Sequence, residues 1–127
     1  MAAMRVFKNK WFSKFAREEN IGDATLCRVI GDAEAGLIDA DYGGGVIKQR
    51  IARPNEGTSG GYRSIILYRQ GEKSFFVYGF PKNERANINR VEEREFKELA
   101  KITFALADEQ LAKLITTGAY TEVECNG

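Results

Sequence analysis

The sequence predicts an α+β fold in which helices pack on one face of a small antiparallel sheet. Three observations predict it: two helical patterns precede the β-rich part of the chain, three β-rich runs follow one another closely, and a longer helical pattern comes after them. The resulting order is βααβββα, with two N-terminal helices and a C-terminal helical segment. Because 127 residues are close to the common size of one domain, we expect a single domain over residues 1–127.

The N-terminal part of the chain predicts a strand and two short helices. Residues 4–8 form a candidate strand, and apolar side chains then recur at helical spacing from Asn9, a residue suited to cap a helix, to Asn20. Asp23 can cap a second helix, which Gly36 is placed to end. Both helices are expected before the sheet begins.

The middle of the chain predicts a three-stranded antiparallel meander. After the glycines at residues 43–45, β-branched residues alternate with polar ones over residues 46–52. The turn-forming residues 53–61 predict an exposed loop. Residues 62–68 and 74–80 are two further β-rich runs, joined by a tight glycine-centred hairpin.

The C-terminal third predicts two helices and a last extended segment. Residues 91–107 place their apolar side chains on one helical face. Asp108 can cap a short helix over residues 109–116, which Gly118 ends. Residues 120–124 form a candidate final extended segment.

The residue types that are absent or rare exclude several kinds of site. The chain has no histidine, which excludes Ser-His-Asp and Cys-His triads and histidine-based metal sites. Catalysis must then depend on Lys, Arg, Tyr, Asp or Glu. Cys27 and Cys125 are too few for a disulfide framework and lack the clustered spacing of a zinc site, so we expect two plain thiols.

The N-terminus and the apolar runs indicate where the protein resides. The first residues lack the apolar segment of a signal peptide. No apolar run approaches the roughly 18 residues of a membrane-spanning helix. We therefore expect a cytoplasmic protein that does not enter membranes.

The charge is distributed unevenly along the chain. The net charge is +1, yet residues 46–90 carry nine Lys and Arg against three Asp and Glu. Residues 1–45 and 91–127 are both slightly acidic. A local basic patch attracts polyanions even when the whole protein is nearly neutral. The middle third is therefore the candidate surface for a nucleic acid.

Within this patch, the predicted strands bring several cations together. Lys48 and Arg50 lie two residues apart in a strand, so both side chains leave the same face of the sheet. An isolated pair of this kind is usually a solvated strand face. Here the end of one antiparallel strand lies beside the start of the next, so Arg50, Arg53 and Arg63 are expected to cluster. Lys82 and Arg85 can approach Lys48 only if the last strand lies next to the first basic strand or if the loop after the last strand folds over.

Such a cluster can act on RNA. A guanidinium group binds phosphate through two hydrogen bonds, and a Lys crowded by other cations loses some of its affinity for its own proton. Lys48 could then serve as a weak general base towards a ribose 2′-hydroxyl, with Arg63 and Arg85 stabilising the charge on phosphorus. Three aromatic residues could stack on bases, although each taken singly fits the core of the sheet better: Tyr62, Tyr78 and Phe80.

Three motifs in residues 43–88 resemble the RelE/ParE superfamily of bacterial type II toxins, in a HigB-like RelE branch. They are IKQRIAR, SGGYRSII and YGFPKNERANI, in this order and spacing. The resemblance implies a RelE-like fold with the order βααβββα and a toxin that cuts mRNA in the ribosomal A site without a metal or other cofactor. It also implies a cognate antitoxin, of the helix-turn-helix type, as partner beside the ribosome and mRNA.

The resemblance can be carried over position by position. Lys48 and Arg50 match the paired basic residues of the family's strand, and Arg63 matches its phosphate-binding arginine. Two positions depart from the family pattern: Asn83 replaces an arginine, and Asn89 stands where some members carry a catalytic tyrosine, so we substitute Arg85 for the missing acid. The predicted catalytic residues are Lys48, Arg50, Arg63 and Arg85, and the predicted RNA contacts are Arg53, Tyr62, Tyr78, Phe80 and Lys82.

The expected activity is a ribosome-dependent endoribonuclease that forms a 2′,3′-cyclic phosphate by internal transesterification. Two alternatives stay open. One is a non-catalytic toxin like the ParE branch, which inhibits DNA gyrase by protein contact. The other is a nuclease-dead relative that binds RNA, because the two asparagine departures leave the acid unassigned. A dense set of strand-borne cations favours the nuclease.

Overall fold

The computed structural model describes residues 4–53 and 57–125, and for residues 53 and 57–60 it describes the backbone only. None of the helices in this part of the chain is long and apolar enough to cross a membrane. The elements are, in chain order, β1 (Arg5–Asn9), α1 (Lys10–Glu18), α2 (Asp23–Glu34), β2 (Ala40–Gly43), β3 (Val46–Arg53), β4 (Gly57–Arg69), β5 (Lys73–Pro81), α3 (Arg90–Phe104), α4 (Asp108–Thr116) and β6 (Tyr120–Val123).

The described strands form one mostly antiparallel sheet in the order β2-β3-β4-β5-β1-β6. The antiparallel meander of β3, β4 and β5 confirms the three predicted strands, and β2 adds a fourth at its edge. β1 pairs parallel with β5 and antiparallel with β6. The α+β class is therefore confirmed. β2 escapes prediction because its four residues, Ala-Asp-Tyr-Gly, are too few to show an alternating pattern.

Helices cover both faces of the sheet, so the prediction that they pack on one face is wrong. On one face, α1 and α2 pack against strand residues such as Ile47 and Ile66. On the other, α3 and α4 pack against residues such as Val46 and Leu67. Successive residues of a strand point to opposite faces. A continuous apolar run such as residues 65–67 therefore requires cover on both sides.

Three helix boundaries and one turn follow directly from the sequence. Asn9 caps α1 as predicted, its Oδ1 accepting a hydrogen bond from the Phe12 backbone N–H at 2.8 Å. Gly36 and Gly118 follow the ends of α2 and α4 with φ of 87° and 83°, which glycine adopts without strain. Residues 43–45, all glycines with positive φ, form the turn between β2 and β3.

Two predicted helix caps are wrong. Asp23 and Asp108 are the first helical residues, and Gly22 and Ala107 occupy the cap positions before them. The Asp23 carboxylate instead accepts a hydrogen bond from Lys8 Nζ at 3.2 Å. This tertiary partner lies on β1 and leaves no local signal in the sequence.

The predicted loop over residues 53–61 is wrong at its C-terminal end. β4 already begins at Gly57, and its backbone pairs with that of Arg53 in β3. The Gly61 carbonyl accepts a hydrogen bond from the Lys82 backbone N–H at 3.1 Å, so this glycine also belongs to the sheet. Pairing with neighbouring strands overrides the turn preference of the glycines. Residues 54–56 of the predicted loop lie outside the described part of the chain.

The expectation of two plain thiols is wrong, because Cys27 on α2 and Cys125 form a disulfide. Their Cα atoms are 5.5 Å apart, which suits such a bond. Beside it, the Glu124 backbone N–H donates to the Asp23 carboxylate at 3.1 Å. The sequence could not predict this pairing, because 98 residues separate the two cysteines. β6 pairs with β1, and the chain after β6 then brings Cys125 beside α2, which carries Cys27.

We expect reduction of this disulfide to lower the free energy of unfolding by about 2–4 kcal/mol, because a cross-link across so long a loop restricts the unfolded chain. Urea unfolding of oxidised and reduced protein measures the difference. The double variant Cys27→Ser/Cys125→Ser is the control, and its midpoint should equal that of reduced protein with and without reductant. Equal midpoints for oxidised and reduced protein would show that the bond does not stabilise the fold.

Candidate active site

Three of the predicted cationic residues meet at one carboxylate. Arg50 on β3 lies directly opposite Arg63 on β4, and Lys48 lies two residues before Arg50 on the same face. All three reach Asp39: Arg50 Nε lies 3.2 Å from Oδ1, Arg63 Nε 3.5 Å from Oδ2, and Lys48 Nζ 3.8 Å from Oδ2. We call Lys48, Arg50, Arg63 and Asp39 the cationic cluster.

The members of the cationic cluster differ in exposure. The side chains of Lys48 and Arg63 are 13% and 9% exposed, whereas that of Arg50 is 53% exposed. Asp39 itself is 16% exposed. Among the described residues, the three cations share this one carboxylate. A charge removed from water needs a partner, so the cluster can accept a further anion from the side of Arg50.

Asp39 is held in place from the opposite face of the sheet. Gln49, between the two cations of β3, is 3% exposed and points towards α2. Its Oε1 accepts a hydrogen bond from the Asp39 backbone N–H at 2.8 Å, and its Nε2 donates to the carbonyls of Leu37 at 3.0 Å and Val29 at 3.3 Å. The sequence analysis selected neither Asp39 nor Gln49. Asp39 lies outside every strand that the sequence predicts, and Gln49 is a single polar residue between two cations, so neither carries a recognisable pattern.

The loop after β5 folds over the cluster, which is one of the two ways in which the sequence allowed these segments to meet. Lys48 Nζ donates to the Ala86 carbonyl at 3.5 Å. Lys82, at the start of this loop, is exposed. The loop therefore closes one side of the cationic cluster with backbone rather than with a further basic side chain.

Arg85 does not point into the cluster but binds the start of α3. Its guanidinium makes two hydrogen bonds to the Glu92 carboxylate, at 2.6 and 3.1 Å, and one to the Tyr78 hydroxyl at 3.3 Å. The Glu92 carboxylate also accepts a hydrogen bond from the Asn89 backbone N–H and so completes a capping box. The hydrogen bond to Glu92 raises the pKa of Arg85, and the same bond holds the pKa of Glu92 below its usual range.

The aromatic candidates are less accessible than a base-stacking role requires. Tyr62 and Phe80 are each 3% exposed, so the alternative in which they belong to the core describes them better. Tyr62 faces α1, and its hydroxyl donates to Glu19 at 2.6 Å. Tyr78 is partly exposed beside Trp11, with ring centroids 4.7 Å apart. The side chain of Arg53, the remaining predicted RNA contact, lies outside the described residues.

A tyrosine that the sequence analysis did not select lies beside the cluster. Tyr42 is on β2 and packs against the core residues that include Val46, so it lies on the face of the sheet that carries Lys48. Its hydroxyl donates a hydrogen bond to Asn87 Oδ1. Asn87 lies in the loop after β5, and Lys48 contacts the residue before it, Ala86. The Tyr42 phenol and the Lys48 ammonium group therefore lie against the same short segment.

The surroundings of Tyr42 keep its phenol protonated. Burial raises the pKa of Tyr42, and the nearby charges of Glu93 and Asp39 raise it further, while Arg85 acts in the opposite direction. A phenol with a raised pKa retains its proton at neutral pH and can donate it. The cationic cluster and the neutral phenol of Tyr42 therefore lie on one face of the sheet.

The pairing of Arg85 with Glu92 predicts a pH-dependent contribution to stability. Since the folded-state pKa of Glu92 lies below its ordinary value of 4.5, the contribution is present above that pH and is lost as the pH falls through the folded-state value. We expect Arg85→Ala to lower the free energy of unfolding at pH 7 by about 1 kcal/mol, and by much less at pH 3. Urea unfolding at both pH values measures this.

Arg94→Ala is the matched control on the exposed surface of the same helix, and it should change stability little at either pH. An equal loss for Arg85→Ala at pH 7 and pH 3 would contradict the assigned role of the ion pair.

Comparison with known proteins agrees with the fold. The family profile described as the RelE toxin of the RelE/RelB toxin-antitoxin system matches residues 4–123 of the chain. No curated protein matches the chain. The profile covers nearly the whole chain and so extends the resemblance beyond residues 43–88. The chain therefore belongs to the RelE family, whose members are toxins of toxin-antitoxin systems.

Proposed function

We propose that the protein is an mRNA endoribonuclease that inhibits translation by cutting mRNA on the ribosome. The observation that carries the proposal is the meeting of Lys48, Arg50 and Arg63 around Asp39, whose carboxylate is the one within 4 Å of all three in the described part of the chain. Three cations with one internal anion suit a phosphodiester, and the transition state of phosphodiester cleavage carries additional negative charge that the same groups stabilise.

The proposed reaction is an internal transesterification. The ribose 2′-oxygen attacks phosphorus, the bond to the 5′-oxygen breaks, and a 2′,3′-cyclic phosphate and a 5′-hydroxyl result. The guanidinium groups of Arg50 and Arg63 bind the non-bridging oxygens. Lys48 contacts two acceptors, the Asp39 carboxylate and the Ala86 carbonyl. This arrangement suits a proton-bearing ammonium group, so we assign Lys48 to charge stabilisation rather than to the general base expected from the sequence.

The limited access to the cluster supports dependence on the ribosome. Two of its cations are largely buried, and two of the predicted stacking residues, Tyr62 and Phe80, are core residues. With these two rings in the core, single-stranded RNA gains less binding energy from stacking of its bases. The ribosome would supply what the toxin surface lacks, an mRNA held in a fixed conformation. The exposed Arg50 and Lys82 and the partly exposed Tyr78 are the proposed contacts with it.

The proposal also concerns partners and location. A toxin of this family has an antitoxin, for which we propose a helix-turn-helix protein that masks the cationic cluster. Ribosomes and mRNA place the activity in the cytoplasm.

Arg85, which the sequence analysis placed among the catalytic residues, orders the loop over Lys48 through its contacts with α3.

Uncharged variants of the buried cations should lose cleavage. We expect Lys48→Met and Arg63→Met each to reduce the cleavage rate about 10²-fold or more, because each removes one group that stabilises the transition state. Methionine keeps the apolar stem of the side chain and so preserves packing. Single-turnover cleavage of mRNA on programmed ribosomes measures the rate, and circular dichroism with thermal unfolding checks the fold.

Arg69→Met is the matched control, since Arg69 lies at the far end of β4 beside the hairpin, stacked on Phe104. It should cleave at nearly the wild-type rate. An equal loss in all three variants would mean that the basic residues supply general RNA affinity, and the catalytic assignment would be withdrawn.

Expression of the toxin without its antitoxin should stop protein synthesis before DNA synthesis. Pulse labelling of both after induction measures the order, with Arg63→Met as the inactive control. An early stop of DNA synthesis with translation intact would support the gyrase-inhibiting alternative. A stop of translation without mRNA cleavage would support the nuclease-dead alternative.

A further inference from the structure

We propose that two residues at the β2 edge, Asp39 and Tyr42, perform the proton transfers of the cleavage reaction. Asp39 accepts the proton of the 2′-hydroxyl, and Tyr42 donates a proton to the 5′-oxygen. The inference rests on the proposed nuclease function and deepens it, because it assigns an acid and a base in a site without histidine.

The position of Asp39 suits a proton acceptor. Its Oδ1 is held by Arg50 Nε at 3.2 Å, but its Oδ2 has longer contacts, 3.5 Å to Arg63 and 3.8 Å to Lys48. At these distances Oδ2 keeps lone pairs available for a stronger hydrogen bond from a substrate hydroxyl. The cations beside it are those that would bind the phosphate, so a 2′-hydroxyl next to that phosphate comes within reach of the carboxylate.

The orientation of Asp39 is built into the fold. The buried Gln49 holds the Asp39 backbone at 2.8 Å and anchors the segment before it through the Leu37 carbonyl. A general base has to be positioned before it can act, and a buried amide that hydrogen-bonds both the Asp39 backbone and the Leu37 carbonyl provides that support.

Tyr42 suits a proton donor on the same face. It follows Asp39 by three residues, and the charge of Asp39 acts on its phenol, so the two side chains lie near one another. Its hydroxyl borders the loop that Lys48 also contacts. Its pKa is raised by burial and by the nearby acids, so the phenol is neutral at neutral pH and carries a proton to transfer.

The proposed step is balanced in atoms and electrons. As the 2′-oxygen bonds to phosphorus, its proton passes to Asp39 Oδ2. The bond between phosphorus and the 5′-oxygen breaks, its electron pair stays on that oxygen, and the Tyr42 hydroxyl transfers its proton there. The products are the 2′,3′-cyclic phosphate and the 5′-hydroxyl. The protonated Asp39 and the Tyr42 phenolate then return to their starting states by proton exchange with water.

The test is single-turnover cleavage on programmed ribosomes by wild type, Asp39→Asn and Tyr42→Phe at saturating toxin. We expect each variant to be about 10²-fold slower or more, because a positioned acid or base contributes that much. The concentration of Asp39→Asn that gives half the maximal rate should be unchanged or lower, since removing a negative charge favours RNA binding. Asp41→Asn and Tyr68→Phe are the matched controls, and both should cleave at the wild-type rate.

A substrate with sulfur in place of the 5′-oxygen separates the two roles from structural effects. A thiolate leaves without protonation, so Tyr42→Phe should cut this substrate as fast as wild type, while Asp39→Asn should stay slow. Loss of less than tenfold in Asp39→Asn, or faster cleavage, would overturn the base assignment and leave Asp39 as a positioning residue or a competitor of phosphate. A defect of Tyr42→Phe that persists with sulfur would overturn the acid assignment. If wild type forms no cyclic phosphate from either substrate, the proposed function itself fails.

Discussion

The Asp39 carboxylate is the anion around which the cationic side chains of the sheet are arranged. Two unit charges of like sign 4 Å apart repel by about 4 kcal/mol at the effective dielectric constant of a protein surface. Lys48 and Arg63 are largely buried, so water screens their repulsion poorly. A single carboxylate within 4 Å of all three cations offsets that repulsion and allows them to occupy one face.

One face of the sheet holds the Asp39 segment in place, and the other face carries the cations that contact Asp39. On the face under α1 and α2, Gln49 makes two side-chain hydrogen bonds to the segment that carries Asp39 and a third to Val29 of α2. On the face under α3 and α4, Lys48, Arg50 and Arg63 form ion pairs with the Asp39 carboxylate, which that segment holds in place. The same face is ordered from its other end by Arg85, whose bonds to Glu92 join the loop over Lys48 to the first turn of α3. Each half of the cluster thus depends on a polar contact outside it.

The sequence predicted what local patterns encode and missed what tertiary contacts create. The strands β3 to β5 and the Asn9 cap were predicted, because alternation and capping are properties of neighbouring residues. The cover on both faces was missed, although the apolar run over residues 65–67 indicated it. The pairing of Arg50 with Arg63 followed from strand order. Asp39 could not be found, because its place in the cluster depends on Gln49, a contact across ten residues.

Among the residues that the structure describes, the three cations of the cationic cluster share one carboxylate, and this imbalance of charge links binding to stability. Any anion that completes the cluster binds the folded chain and not the unfolded one, so it stabilises the fold by mass action. On the proposed function, a substrate phosphate and an acidic side chain of the antitoxin would compete for the same few donors around Arg50. Both would enter from its exposed side, since the loop over Lys48 closes the other. Neutralisation of such a toxin then requires no conformational change, because occupying one charged opening is enough.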